Sequence, residues 1–400
     1  MRSVLLVLAF VAFTMISWGL YGPAVHEGQY QLGGGAYPSS LRPFICVGLA
    51  YFLIAVLVPL LTLRSKSEQG NWTVLGAVWA FLAGAVGALG ALGMVLAFKF
   101  RGDPVYVMPL IFGLAPVVNT FFAMWLARTF KEARPLFFSG VILVAVGAAG
   151  VLSFKPATPE RSPVGASAQA ETTTDPATTP AASAQQASTV EKLVKIPLSI
   201  ALAALCWGAY GPLLHKGQMR MAGSRLRPFL CVGLAYFVIA VLLPLPLIQF
   251  CREPGGFNFS GITWSLAGGA AGAIGALGIV LAFNFGGRPV YVMPLVFGGA
   301  PIVNTFTAVL TAGNSSDLSP LFLASLIVLI AGSATVLVFA PRQASPAAEP
   351  RLSESLPGEP PTPATSERKP DDETSPGDDC REDLEDTLDD DDTVMQERPD

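Results

Sequence analysis

Long uncharged apolar stretches alternate with short polar breaks along the chain, and ten of the stretches read as membrane spans: residues 4–24, 43–63, 72–98, 104–127, 135–154, 196–214, 228–250, 259–284, 289–311 and 319–340. Each runs for roughly 18 to 27 residues, which at ~1.5 Å of helical rise per residue crosses a hydrocarbon core of ~30 Å. Lipid offers no partner to an open backbone N–H or C=O, so every span is predicted to be a helix. Transmembrane strands would alternate in polarity over about ten residues, and Leu49 to Leu61 does not. The fold class that follows is an all-α integral membrane protein with ten transmembrane helices.

The spans are two copies of five. Trp18 to Pro23 (WGLYGP) returns as Trp207 to Pro212 (WGAYGP), Arg42 to Phe52 (RPFICVGLAYF) as Arg227 to Phe237 (RPFLCVGLAYF), and Ala97 to Thr120 as Ala282 to Thr305 with about three-quarters of positions identical. Arg2 followed by Val4 to Ile16 has the make-up of a secretory signal, but the recurrence of its sequel deep in the chain marks the first span as structural and retained. An odd number of spans per copy makes the second copy enter the membrane from the opposite side, so the halves are expected to be inverted repeats, an arrangement suited to alternating access. The expected organisation is a first repeat at 1–155, a flexible Ala/Thr/Pro-rich linker at 156–194, a second repeat at 195–340, and a disordered, acidic, Pro-rich tail at 341–400.

Composition agrees: 52% hydrophobic and 14% charged residues exclude a soluble globular protein. With the N-terminus inside, eleven Lys and Arg fall on cytoplasmic segments before the tail and eight on the other side, which places both termini in the cytoplasm of a multi-pass cell (inner or plasma) membrane protein. Cys46, Cys206 and Cys231 lie in spans, Cys251 at a span end and Cys380 in the tail, a spread that indicates neither a disulfide framework nor a metal cluster. No cofactor is expected.

The two five-span halves, the W-G near the end of each first span, and a small-residue third span running into P-V-Y-V-M-P-L-x-F-G-x-A-P-x-V-N-T resemble the EamA family of the drug/metabolite transporter superfamily, over about Val4 to Phe339. Pro116 and Pro301 match the proline of the family's fourth span. The resemblance implies a ten-helix carrier whose central cavity is lined mainly by spans 1, 3 and 4 of each half and which moves amino acids, other metabolites or drugs. A Glu that many members carry just after the fourth span is not matched: the chain reads ARTFKEA (Ala127 to Ala133) and TAGNSSD (Thr311 to Asp317), with only Glu132 nearby.

No Asp, Glu, Lys or Arg falls inside a predicted span, which disfavours a carboxylate-coupled antiporter and favours a neutral or zwitterionic solute. Trp18, Tyr21 and Tyr51, with counterparts Trp207, Tyr210 and Tyr236, suit a substrate cavity wall or an interfacial belt. Asn119 and Asn304 must satisfy amides in hydrocarbon, by binding substrate or by bonding to a neighbouring helix. Pro109 and Pro116, recurring as Pro294 and Pro301, each free the carbonyl four residues earlier, of Val105, Phe112, Val290 and Phe297, and suit a hinge or a solute-coordinating site, or else a purely structural kink. His26 and His215 share a repeat position and suit a proton-sensitive gate or a helix-end polar cap. Gly84, Gly87, Gly90 and Gly93, repeated as Gly269, Gly272, Gly275 and Gly278, present small faces for close helix packing or, beside a cavity, space for a ligand. The halves differ in charge at Lys99 versus Asn284 and at Asp103 versus Arg288.

The function expected is a secondary transporter, or permease, moving a small metabolite by alternating access, with the solute and the lipid bilayer as partners. Nucleophile, base and metal-ligand clusters are missing from the spans, which argues against an enzyme, and no nucleic-acid partner is indicated. The alternative is a non-transporting scaffold or signalling protein acting through its acidic tail on a cytoplasmic partner. A homodimer is compatible with either.

Overall fold

The computed structural model describes residues 2–35, 37–65, 68–156, 191–312 and 318–341. Residues 157–190 of the expected linker (156–194) and residues 342–400 of the expected tail (341–400), with Cys380, lie outside the described residues. Ten helices are long and apolar enough to cross a membrane: α1 (Arg2–Leu32), α2 (Leu41–Ser65), α3 (Val74–Lys99), α4 (Pro104–Ala127) and α5 (Pro135–Ser153), then α6 (Ile196–Arg220), α7 (Leu226–Phe250), α8 (Phe259–Asn284), α9 (Pro289–Ala312) and α10 (Pro320–Phe339).

Local chemistry sets the helix ends. Thr73 Oγ1 accepts from the Gly76 N–H at the start of α3, and Asn258 Oδ1 from the Gly261 N–H at the start of α8, each occupying one of the donors that a helix N-terminus leaves open. Asp103 caps α4 by accepting from Val105 N at 2.9 Å, with Pro104 at the first helical position, where a missing N–H costs nothing. Inside α7, Phe237–Leu242 opens into a π turn just before Pro244, a residue with no N–H to give the carbonyl four residues back.

α1 differs from expectation by running on to Leu32 rather than ending near residue 24, so that His26 and Glu27 lie in continuous helix. Its last turns read as polar in sequence, yet Val25, Gln29 and Leu32, all fully buried, fall on one helical face. That face meets glycines of α8: a methyl group added at Gly268 would strike Val25, and one at Gly261 would strike Leu32. Similarly, α6 continues to Arg220 and buries Leu213 and Gly217.

The main interfaces join the halves. α1 packs on α8 and α6 on α3, while α2 meets α7, α4 meets α9 and α5 meets α10. The glycine rows make the first of these possible. Gly90 is overlain by the Trp207 ring, and Gly275, its counterpart, by the Trp18 ring. Gly87 lies under Tyr236 and Tyr210, and Gly272 under Tyr51 and Tyr21. A stripe of small residues every three positions therefore seats the aromatic face of the other half. Both proline pairs, Pro109 with Pro116 and Pro294 with Pro301, lie within unbroken helix.

Candidate functional site

Eight aromatic side chains gather where the halves meet. Tyr51 and Tyr236 stack with ring centroids 3.9 Å apart and planes 5° off parallel. Trp18 stacks on Phe112 at 5.9 Å and meets Phe297 edge-on at the same distance, Trp207 lies 6.1 Å from Phe112, and Tyr21 stacks on Trp207 at 6.0 Å. Tyr210 completes the group beside Tyr236 over Gly87. All six expected Trp and Tyr residues are thus in one place, and Phe112 and Phe297, four residues before Pro116 and Pro301, join them.

The W-G-x-Y-G-P motif explains how the group is held. Its tryptophan indole donates across the interface, Trp18 Nε1 to the Gly272 carbonyl and Trp207 Nε1 to the Gly87 carbonyl, both at 3.1 Å. Its tyrosine joins the central rings. Its two glycines let the fourth helix of the other half approach: Gly19 and Gly22 abut Val303 and Asn304, while Gly208 and Gly211 abut Val118 and Asn119.

Where a central cavity is expected, Tyr21, Tyr51, Tyr236 and Phe112 are buried among one another. Trp18, Trp207, Tyr210 and Phe297 keep partial exposure. Among these rings the Tyr21 hydroxyl is buried without a hydrogen-bond partner. A separate open depression of about 530 Å³ is lined by Glu132, Arg134 and Val338 to Pro341, none of them an expected binding residue. Among the described residues no cluster of three or more His, Cys, Asp or Glu could hold a metal ion.

Compared with protein-family models and with curated proteins, the chain matches neither a family model nor a curated sequence.

Two carboxylates outside the expected set tie the halves together. Glu253, after α7, accepts from Ser40 N and Ser40 Oγ, both at 2.6 Å, from Leu41 N at 3.1 Å and from Ser39 Oγ at 3.0 Å, closing the first turn of α2. Arg42 adds a 3.5 Å contact to the carboxylate and donates to the Glu253 and Pro254 carbonyls. Glu68, after α2, does the same for α7, accepting from Ser224 Oγ at 2.6 Å, Arg225 N at 2.9 Å and Leu226 N at 3.2 Å, with Arg227 at 3.5 Å. Burial pushes the Glu253 carboxyl up, but the donors from Ser40, Leu41 and Ser39 outweigh it and hold the group below its ordinary value. A sequence signal was present: each Glu follows its half's R-P-F arginine at the same spacing.

The histidines are not equivalent in place. His26 is half-buried, with Tyr30 and Phe98 edge-on at 5.1 and 5.2 Å, whereas His215 is exposed. The two asparagines both bond to backbone. Asn119 Nδ2 donates to the Gly208 carbonyl of α6 at 3.1 Å, and Asn304 Nδ2 donates to the Pro104 carbonyl of α4 at 2.7 Å.

The fourth helices also differ in packing. Tyr106 is 2% exposed and its counterpart Tyr291 41%, and the same contrast holds for Leu110 against Leu295 and for Pro104 against Pro289. Lys155 lies over the Tyr106 ring at 4.8 Å and Lys195 over Phe100 at 5.0 Å.

Proposed function

We propose that the protein is a secondary transporter akin to the EamA family, built as two inverted five-helix repeats, that moves a small neutral or zwitterionic metabolite across a cell membrane by alternating access and without a catalytic step. The observation that carries the reading is the contrast between Tyr106 and Tyr291. PVYVMPLIFG and PVYVMPLVFG are nearly the same sequence, yet Pro104, Tyr106 and Leu110 are buried in the first while their counterparts Pro289, Tyr291 and Leu295 are exposed in the second. In a carrier of inverted repeats, a conformation in which one copy is tight and the other loose is closed at one face of the membrane and open at the other. Exchanging the two packings reverses the access.

The carboxylate clasps support the inverted relation. Glu253 sits at the start of α2 and Glu68 just past its end, and the 25 residues of that helix set them about 37 Å apart at ~1.5 Å per residue. Equivalent residues thus fall at opposite ends of the bundle. All eight residues of the aromatic group are uncharged at neutral pH, which suits a neutral or zwitterionic solute better than an ion.

The test is thermal stability of the detergent-solubilised full chain against amino acids, sugars, nucleosides and cationic drugs, followed by uptake of any hit into proteoliposomes. A ligand at about 100 times its Kd adds roughly 2.7 kcal/mol of stability. A selective, saturable shift with matching uptake supports a carrier. Folded protein that takes up no compound, joined to a cellular phenotype that vanishes on deleting residues 341–400, would overturn it in favour of a scaffold.

A further inference from the structure

Asn119 and Asn304 hold the same position in their halves, but their amides have chosen different partners. Each asparagine lies against the two motif glycines of the opposing first helix: Asn304 against Gly19 and Gly22, and Asn119 against Gly208 and Gly211. From that common seat Asn119 donates to the Gly208 carbonyl, a partner on the facing first helix. Asn304 ignores the matching carbonyl of Gly19 and reaches the first residue of α4, Pro104. The matching partner for Asn119 would be the Pro289 carbonyl at the start of α9.

The choice follows the packing. Where Asn304 grips Pro104, the start of α4 is buried, Pro104 and Tyr106 included, and Asn304 itself is fully buried. Where Asn119 does not grip Pro289, Pro289 and Tyr291 at the start of α9 are exposed. The backbone setting of the two asparagines is otherwise alike, since Gly19 packs on Val303 as Gly208 packs on Val118.

We propose that Asn119 and Asn304 form a reciprocal amide switch in which each side chain bonds either to the first helix of the other half or to the first turn of the opposing fourth helix, clamping that turn shut. This rests on the alternating-access reading, and treats the two halves as samples of one switch in its two positions. In the state described, Asn304 is the clamp and Asn119 is parked. In the reversed state Asn119 clamps Pro289 and Asn304 parks on Gly19. Both are positioning residues, acting through helices α4 and α9 rather than on the solute. The clamp bond is shorter and fully buried, the parked bond longer and partly exposed. Losing a buried bond costs more than losing one that water can replace. Removing Asn304 therefore penalises the present state most, and removing Asn119 penalises the reversed one.

The experiment is double electron–electron resonance on the full chain in lipid nanodiscs, with the five native cysteines replaced. One label pair, Arg101→Cys with Leu310→Cys, reports the clamped ends of α4 and α9, and a second, Trp125→Cys with Arg288→Cys, reports the opposite ends. Asn304→Ala should raise the population with the first distance long and the second short by roughly three- to tenfold, a bond difference of ordinary size. Asn119→Ala should lower it by a similar factor, and the double variant should return near the parent. A structural role alone would not give shifts of opposite sign, and if one variant fails to fold, the other still carries its own sign. Two reciprocal populations whose ratio the substitutions move in the same direction, or not at all, would overturn the switch while leaving alternating access intact. A single distance for each pair in all four proteins would overturn alternating access and the switch with it.

Discussion

Arg42 and Glu253 lie in different halves of the repeat and meet at 3.5 Å with side chains only 8% and 5% exposed, the carboxylate also closing the first turn of α2. Burying such a pair costs solvation that only several good hydrogen bonds recover, and Glu253 has them.

Glu253→Ala should therefore cost about 2–4 kcal/mol, since it leaves a buried guanidinium without its carboxylate and two N–H groups of α2 without an acceptor. Glu68→Ala should cost less, because its pair with Arg227 is 20% and 15% exposed. Thermal melts of the two variants in one detergent give the order directly; equal losses would contradict the role assigned to burial.

The same carboxylate predicts a pH dependence. Its folded-state value lies below the ordinary 4.5, so between the two values the unfolded chain binds more protons than the folded one. The stability it supplies is full above 4.5 and is lost as pH falls through the depressed value. Glu253→Gln should flatten that part of the melting-temperature profile. An acid slope unchanged in Glu253→Gln would assign it to other groups.

Glycine seats make a sharper steric prediction. A methyl group at Gly90 or Gly275 would collide with the indole of Trp207 or Trp18, and helix backbones on both sides leave little room to yield. Gly90→Ala and Gly275→Ala should each destabilise by about 1–3 kcal/mol, the usual cost of overpacking. Gly256→Ala, with open space around it, should be nearly neutral. Intrinsic helix propensity alone favours alanine at Gly90 and Gly275, so a stabilising result there would mean the indoles move aside.

How much of this was legible in the chain depends on which interactions leave a periodic trace. Lipid demands long uninterrupted apolar runs, so the ten helices could be read from hydropathy, and glycines every three residues announced close packing. The last turns of α1 were lost because Gln29 is buried by bonds to the Ser39 and Val95 carbonyls, and a buried polar residue on an apolar face looks like a helix end. The clasps were missed because a carboxylate that caps a distant helix has no local pattern. The charge difference between Lys99 and Asn284 has a partner on each side. Lys99 Nζ donates to Ser40 Oγ at 3.1 Å, while at the equivalent place Arg225 donates to Asn284 at 2.8 Å. The cation has moved from the helix to the loop and the bond has survived.

That exchange can be transplanted. Lys99→Asn alone should lose a bond worth about 0.5–1 kcal/mol, Ser40→Arg alone should cost more because it also takes the Ser40 hydroxyl from Glu253, and the two combined should lose less than their sum by rebuilding the pairing of Arg225 with Asn284. A double-mutant cycle on melting temperature reads the coupling, and additive losses would show that the two contacts are independent of their repeat position.

Tyr21→Phe separates packing from solute binding at the centre. The Tyr21 hydroxyl is buried and has no hydrogen-bond partner, and an unsatisfied buried polar group is a standing cost of about 1–3 kcal/mol. Removing it should leave the protein equally or more stable, since the ring against Gly272 and Trp207 stays in place. If the hydroxyl is kept for the solute, the same variant should weaken the ligand-induced rise in melting temperature and raise the KM for uptake while leaving the unliganded melt unharmed. A variant that is more stable and transports as before would make Tyr21 a packing residue whose hydroxyl the solute never meets.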